Sequence, residues 1–372
     1  MMKVTFRTDA SLQIGTGHVM RCLTLASALK TRGAECEFIC RAHDGNLVRL
    51  IQEKGYTTHT LPVEAQTRPS ANCPDSTGLE PTHSLWLGAT QSQDADACGA
   101  ILAARQPDWL IVDHYSLDAR WESKLSPWYD NLMVVDDLAD RPHTCDLLLD
   151  QSHGRAAEDY TSLVPDACRL LCGPRYALLR PEFAELRPYS LQRRVIPALR
   201  ELLITMGGVD KDNITGLVLQ ALRTTLLPAD CRITVILGTT APWQDEINEQ
   251  AQKMPWRTRI LVGVSDMAQL MADSDLAIGA AGATSLERCC LGVPTIMLVL
   301  AENQRKNAQA LDTSGAAHLV DTSTLTSLPA IIEGLFDPST LGTMSAAAAK
   351  ITDGLGVARV IENMANIDSD HK

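Results

Sequence analysis

His18 is the side chain best placed by its neighbours to move a proton. It stands in "IGTGHVMRC" (Ile14–Cys22), directly after the apolar run "KVTFRT" and at the start of a helical pattern. Gly15 and Gly17 flank Thr16, so the turn can bring its backbone close to a ligand. A histidine at a helix N-terminus feels a dipole that disfavours imidazolium. A neutral imidazole near physiological pH is a general base. The motif alone leaves a second role open, a histidine that only hydrogen-bonds the turn. No Gly-Lys-Ser/Thr follows, so the loop is not a Walker phosphate loop, and the third glycine of a dinucleotide fingerprint is missing.

The second half repeats the pattern of a strand ending in glycines before a helix. "LLITMGGVDKDNITG" places Gly207 and Gly208 at such a turn, with a helix beginning near Asn213. "AIGAAGATSLERCCLGVPTIML" places Gly282 and Ser285 at another, where helix N-terminal amides could hold a diphosphate. Glu287 follows closely. A carboxylate beside a phosphate site suits a neutral diol such as ribose, accepting two hydrogen bonds, although glutamate is also common near helix starts. "ENQ" adds Asn303 and Gln304 on the next strand-to-helix turn. Asp113-His114-Tyr115 and Asp136-Asp137 end strand-like runs and could offer further polar groups. Asp94 and Asp96 resemble an Asp-x-Asp metal pattern, but two residues apart on a helix they diverge, which favours a solvated face. No metal ligand set and no cofactor motif emerges.

These loops need elements to hold them. The strand-like runs "KVTFRT", "ECEFICR", "WLIVDHY", "NLMVVDD" and "DLLLD" alternate with helical stretches in the first half. "ELLITMGG", "CRITVILG", "RILVGV", "SDLAIGA" and "PTIMLVL" do so in the second. Alternation of this kind implies parallel sheets covered by helices on both faces. The expected fold class is α/β, with two Rossmann-like domains facing across a cleft. Pro181–Leu199, with three prolines and a basic cluster, reads as the linker. The expected division is therefore residues 1–187, carrying the histidine loop, and 188–372, binding the nucleotide. The Pro/Ser/Thr-rich stretch within residues 63–90 reads as an exposed insertion. The segment from Ser345 onward reads as helical.

Composition narrows the class of partner. The chain has 372 residues, more than one core usually supports. A formal net charge of −12 argues against a nucleic-acid binder. No apolar run approaches the roughly 20 residues that span a bilayer, and no signal-peptide pattern opens the chain. The 11 cysteines are an odd number in apolar surroundings, as expected of reduced thiols. The expectation is a cytoplasmic protein with no membrane insertion, favoured as a monomer.

Taken together and in order, "GTGHVMR", "DHYSLD", "CDLLLDQ", "YALLRPEF", "MGGVD", "GAAGATSLERCCLGVP" and "ENQ" resemble the UDP-sugar hydrolases of pseudaminic acid biosynthesis. That family is similar in turn to the GT-B architecture of the glycosyltransferase that makes lipid II. The resemblance implies hydrolysis of UDP-2,4-diacetamido-2,4,6-trideoxy-β-L-altropyranose to UDP and the free sugar, with inversion and without a metal. The chemistry of the residues agrees: an inverting displacement needs one base opposite the leaving UDP, for which His18 is the candidate, with Tyr115 and Asn303 as candidates to orient the water or the sugar's acetamido groups. Gly15, Gly17, Arg21, Arg180, Gly207, Gly208, Gly282, Ser285, Glu287 and Gln304 complete the set expected to bind the UDP-amino sugar. The resemblance also implies a final helix, from about Val357, that returns to the first domain. Two departures stand out: the stretch between Pro62 and Ser84 is longer than the family core needs, and Leu286 replaces an expected aromatic. Two rival classes share the architecture. One is a metal-independent transferase using a UDP-amino sugar, which needs an acceptor groove. The other is a noncatalytic nucleotide-sugar binding protein, which has no use for His18.

Overall fold

The computed structural model describes residues 1–63 and 81–370, so most of the stretch read as an insertion lies outside the described residues. Two compact units divide the chain. The first comprises residues 1–151, 155–178 and 357–372; the second comprises 152–154 and 179–356.

In the first unit, β1 (Lys3–Thr8), β2 (Glu35–Arg41), β3 (Thr57–Leu61), β4 (Trp109–Asp113), β5 (Asn131–Val135), β6 (Leu147–Asp150) and β7 (Arg169–Cys172) form one parallel sheet in the order β3-β2-β1-β4-β5-β6-β7. Strands covered on both faces read as continuous apolar runs rather than alternating ones. β4 fits this, with every residue of Trp-Leu-Ile-Val-Asp buried. Its alternate side chains enter two separate cores. Ile111 packs with Phe6, Phe38 and Met133, whereas Leu110 and Val112 pack with Ile39, Leu132 and Trp121.

In the second unit, β8 (Glu201–Thr205), β9 (Arg232–Leu237), β10 (Arg257–Val262), β11 (Leu276–Ala280), β12 (Thr295–Leu298) and β13 (His318–Val320) form a second parallel sheet, ordered β10-β9-β8-β11-β12-β13. Both orders reverse direction once, between β1 and β4 and between β8 and β11. Open α/β sheets bind ligands at the carboxyl ends of the strands at such a reversal. Register fixes who meets there: Thr8 lies beside Asp113, and Thr205 beside Gly279.

Three expectations from sequence are drawn differently. The stretch read as a linker is mostly a helix, Pro181–Arg193, with Pro188 inside it. Arg187 donates to the carbonyls of Cys290, Ala349 and Thr352, and Ser190 donates to Leu291. The basic cluster thus satisfies orphan carbonyls at the ends of neighbouring helices. That ties this helix to the second unit and moves the division to Leu178/Leu179. The final helical segment is two helices, Pro338–Ala349 and Gly356–Asp370. The latter counts with the first unit, where Val360, Ile361, Met364 and Ile367 join the apolar core and Trp109 Nε1 donates to Asp368.

Candidate active site

The helix Gly17–Thr31 starts where β1's loop ends and places His18 at the reversal of the first sheet. The approach is a tight turn. Ser11 Oγ accepts from the amides of Gln13 and Ile14, Gly15 N donates to Ser11 O, and Gly15 has φ +81°. That left-handed conformation favours glycine at Gly15. Gly17 begins the helix and is not among the positive-φ glycines.

His18 Nδ1 lies 2.5 Å from Asp113 Oδ1, and Asp113 is fully buried at the end of β4. A carboxylate can only accept, so Nδ1 carries the proton and Nε2 is left with the lone pair. Arg21, one helical turn on, clamps the same carboxylate through Nε at 2.6 Å and Nη2 at 2.7 Å. Burial alone would raise the Asp113 pKa; Arg21 and His18 hold it well below the usual carboxylate range. Arg21 Nη1 reaches Asp137 at 3.1 Å, so the guanidinium is committed inside the protein and positions Asp113 rather than facing ligand. The Tyr115 and His18 rings meet edge-to-face, with centroids 4.5 Å apart, and the Tyr115 hydroxyl donates to Asp137. Burial and Asp137 push the phenol's pKa well up, so it stays a neutral donor.

Asp94 is not on a solvated face. It is fully buried and pairs with Arg7 at 2.7 Å and Arg41 at 2.6 Å, while Trp121 Nε1 also donates to it. Asp96 points the other way, to Lys124 on the surface. Asp136 is buried against Arg141. Among the described residues no group of three or more His, Cys, Asp or Glu is placed to hold a metal ion. The ten described cysteines are all free.

In the second unit the two glycine turns differ. After Gly207 (φ +89°) and Gly208, the amides of Ile214, Thr215 and Gly216 are already taken by the side chains of Asp210 and Asn213. That helix start is therefore closed to a phosphate, and only the Gly207-Gly208 turn remains for contact. The helix Thr284–Cys290 has no side-chain cap. The amides of Gly282, Ala283 and Thr284 have no hydrogen-bond partner among the described residues. Ser285 is buried and its hydroxyl accepts from Asn307 Nδ2.

Glu287 keeps part of its surface accessible. Desolvation pushes its carboxyl up to about 7, opposed by Arg180 and Arg288. Arg180 also pairs with Glu182 at 3.1 Å and lies over the Phe183 ring. Arg288 is fully buried with no carboxylate ion pair among the described residues; it donates to the carbonyl of Ala280, and burial brings its pKa down to about 10. Gln304 Oε1 accepts from Leu300 N, which fixes the "ENQ" turn, and its amide nitrogen lies near Gly282. Asn303 is half-buried on that turn with no hydrogen-bond partner among the described residues.

The structure thus gathers His18, Arg21 and Tyr115 in one unit, and Arg180, Gly282, Ser285, Glu287 and Gln304 in the other. Sequence reasoning named Asp113 only as a strand-end polar group and missed it as the partner of His18. The available signal was its place at the end of a fully apolar strand, where an aspartate needs a counter-ion. Arg288 and Asn307 were not singled out at all.

Residues 202–360 match the glycosyltransferase family 28 C-terminal domain. A protein of Methanocaldococcus jannaschii is 24% identical over 309 residues, covering 82% of this chain; the chain spans 57% of that relative's length. The UDP-2,4-diacetamido-2,4,6-trideoxy-β-L-altropyranose hydrolase of Campylobacter jejuni is 26% identical over 316 residues, covering 84% of this chain and 97% of the relative. Among solved structures, MurG of Acinetobacter baumannii superposes with a TM-score of 0.70 at 14% identity, over 98% of this chain and 100% of that one. The fold is therefore α/β and GT-B-like, residues 202–360 are similar to the glycosyltransferase family 28 C-terminal domain, and the resemblance to the UDP-sugar hydrolase family read from the motifs holds across most of the chain.

Proposed function

We propose that this chain is an enzyme that hydrolyses a UDP-linked acetamido sugar. The substrate read from the resemblance is UDP-2,4-diacetamido-2,4,6-trideoxy-β-L-altropyranose, cleaved to UDP and the free 2,4-diacetamido-2,4,6-trideoxy-L-altrose within pseudaminic acid biosynthesis. The observation that carries the reading is the His18–Asp113 pair, buried at the reversal of a parallel sheet. Asp113 fixes the ring so that Nε2 is the free base.

In the proposed reaction water gives a proton to Nε2 of His18 as its oxygen bonds the anomeric carbon. The bond from that carbon to the diphosphate oxygen breaks on the opposite face, and its electron pair leaves with UDP. The product is inverted at the anomeric centre. The imidazolium formed on the way is stabilised by the Asp113 carboxylate. On the second unit, the amides of Gly282, Ala283 and Thr284 receive the phosphates, and Glu287 accepts from the ribose hydroxyls. Gly207, Gly208 and Gln304 contact the same diphosphate, and Asn303 offers its free amide to the sugar. Donors of this kind offset leaving-group charge without a cation, so EDTA is expected to leave turnover intact.

The family 28 domain favours one alternative, transfer of the sugar to an acceptor. Incubation of the protein with the UDP-sugar and no acceptor separates the two. Stoichiometric UDP and free sugar support hydrolysis; UDP release only after an acceptor is added supports transfer; none with either leaves a binding protein.

A further inference from the structure

We propose that Trp86 and His83, backed by the buried ring of Tyr115, form an aromatic wall that holds the sugar beside His18, stacking on its C–H face while the Trp86 indole N–H donates to an acetamido carbonyl. This rests on the function proposed above and assigns the sugar subsite within it.

The wall is a contiguous set of rings. His83 and Trp86 have centroids 4.3 Å apart, His83 and Tyr115 5.4 Å, and Trp86 and Tyr115 5.8 Å, with interplanar angles of 32–39°. Tyr115 is the ring that meets His18. The chain turn that supplies Trp86, Ser84–Leu87, follows His83 directly and is anchored at both ends. Leu87 is buried in the apolar core. Ser116 Oγ donates to His83 O, linking the turn to the residue after Tyr115. Gly88 closes the turn at φ +67°, and a Cβ there would lie 2.7 Å from the His43 ring. A rigid turn can present rings without an ordering cost at binding.

Core packing alone does not account for these side chains. Trp86 and His83 remain half-buried while Leu87 beside them is sealed. A tryptophan held by packing usually pairs its N–H, as Trp109 and Trp121 do here. The Trp86 indole N–H has no partner among the described residues. Burial holds the His83 pKa down, so the ring is neutral and behaves as an apolar surface. A neutral aromatic face with the free Trp86 N–H suits a deoxy sugar carrying acetamido groups, whose C–H face packs on the rings and whose carbonyls accept.

Two variants test this, Trp86→Ala and Trp86→Phe, with UDP affinity measured alongside hydrolysis. Trp86→Ala is expected to lower kcat/KM for the diacetamido sugar by on the order of tenfold or more, with UDP affinity unchanged. Trp86→Phe, which keeps a ring and loses the N–H, is expected to fall between. A wild-type enzyme that turns over and a Trp86→Ala enzyme within twofold of it would overturn the wall. Saturation-transfer NMR with the same UDP-sugar on His18→Asn protein reads contact without turnover. Transfer to the sugar's acetamido and methyl protons is expected, and its loss in a Trp86→Ala/His18→Asn double variant. Transfer that survives the double variant overturns the wall too. If the wild type hydrolyses nothing but this transfer is seen and then lost, the hydrolytic reading fails and the wall stands.

Discussion

His18 Nδ1 and Asp113 Oδ1 are 2.5 Å apart although 95 positions separate them in the chain. Parallel register brings them together: β1 and β4 are neighbours, and His18 follows the first while Asp113 ends the second. Asp113→Asn keeps the shape and removes the charge. It leaves Arg21 buried without its main carboxylate partner, so stability is expected to fall by about 3–5 kcal/mol, the scale for breaking one side of a buried pair. Turnover is expected to fall by more than the folded fraction explains, because the ring loses its fixed tautomer. Urea unfolding and kcat on the same preparation separate the two effects. The depressed Asp113 pKa also sets a sign. Its contribution is complete above the ordinary carboxylate range, near pH 4, and is lost as pH falls towards the folded-state value; Asp113→Asn removes that acid sensitivity.

The Asp94 network is expected to matter for folding and not for chemistry. Asp94→Ala strands Arg41 in the interior and leaves Arg7 with Asp9 as its remaining carboxylate partner. A loss of about 3–5 kcal/mol is expected in urea unfolding, with kcat of the folded fraction close to wild type. A kcat loss of a hundredfold with stability intact would place Asp94 in the reacting site instead.

Glu287 links UDP affinity to pH. Desolvation raises its carboxyl to about 7, while two ribose hydroxyls would need the anion. UDP binding is therefore expected to weaken as pH falls from 8 to 6 and to release protons near pH 7, seen by calorimetry in buffers of different ionisation enthalpy. For folding the sign is reversed: the folded pKa lies above the unfolded one, so the contribution is complete below about pH 4 and is lost as pH rises through 7. Glu287→Ala should weaken UDP by roughly 1.5–3 kcal/mol and flatten the pH profile. Unchanged affinity would take Glu287 out of the ribose site.

Gly238 has no room for a methyl group. A Cβ there would sit 1.8 Å from Gly208 O. Gly238→Ala is expected to push the Gly207-Gly208 turn aside, costing about 1–3 kcal/mol of stability as overpacking does and weakening UDP. A variant that melts with wild type and binds UDP equally would show that the turn moves freely and holds nothing.

Much of this was legible in the sequence because parallel strands announce themselves. "WLIV" and "LAIGA" are apolar throughout, and each is followed by the polar or glycine-bearing turn that lies at a sheet reversal. Pairings were harder. Nothing local in "DHYSLD" says that its aspartate meets His18 rather than a metal or solvent; that follows only from strand order. Asp94 was misread for the same reason, since its arginines lie on β1 and β2. The helix Pro181–Arg193 was hidden by its prolines, because the carbonyls that bind its arginines come from distant helices. The capping of Ile214 and Thr215 by Asp210 was hidden by Asp210's left-handed backbone, which glycine more often adopts.

Anomer-resolved NMR of the acceptor-free reaction, run with wild type and His18→Asn side by side, tests the central claim most directly. Wild type is expected to release the inverted anomer first, ahead of mutarotation. His18→Asn, folded and binding UDP normally, is expected to be slower by on the order of a hundredfold or more. Retention at the anomeric carbon, or a His18→Asn rate within a few-fold of wild type, would contradict a His18-activated water.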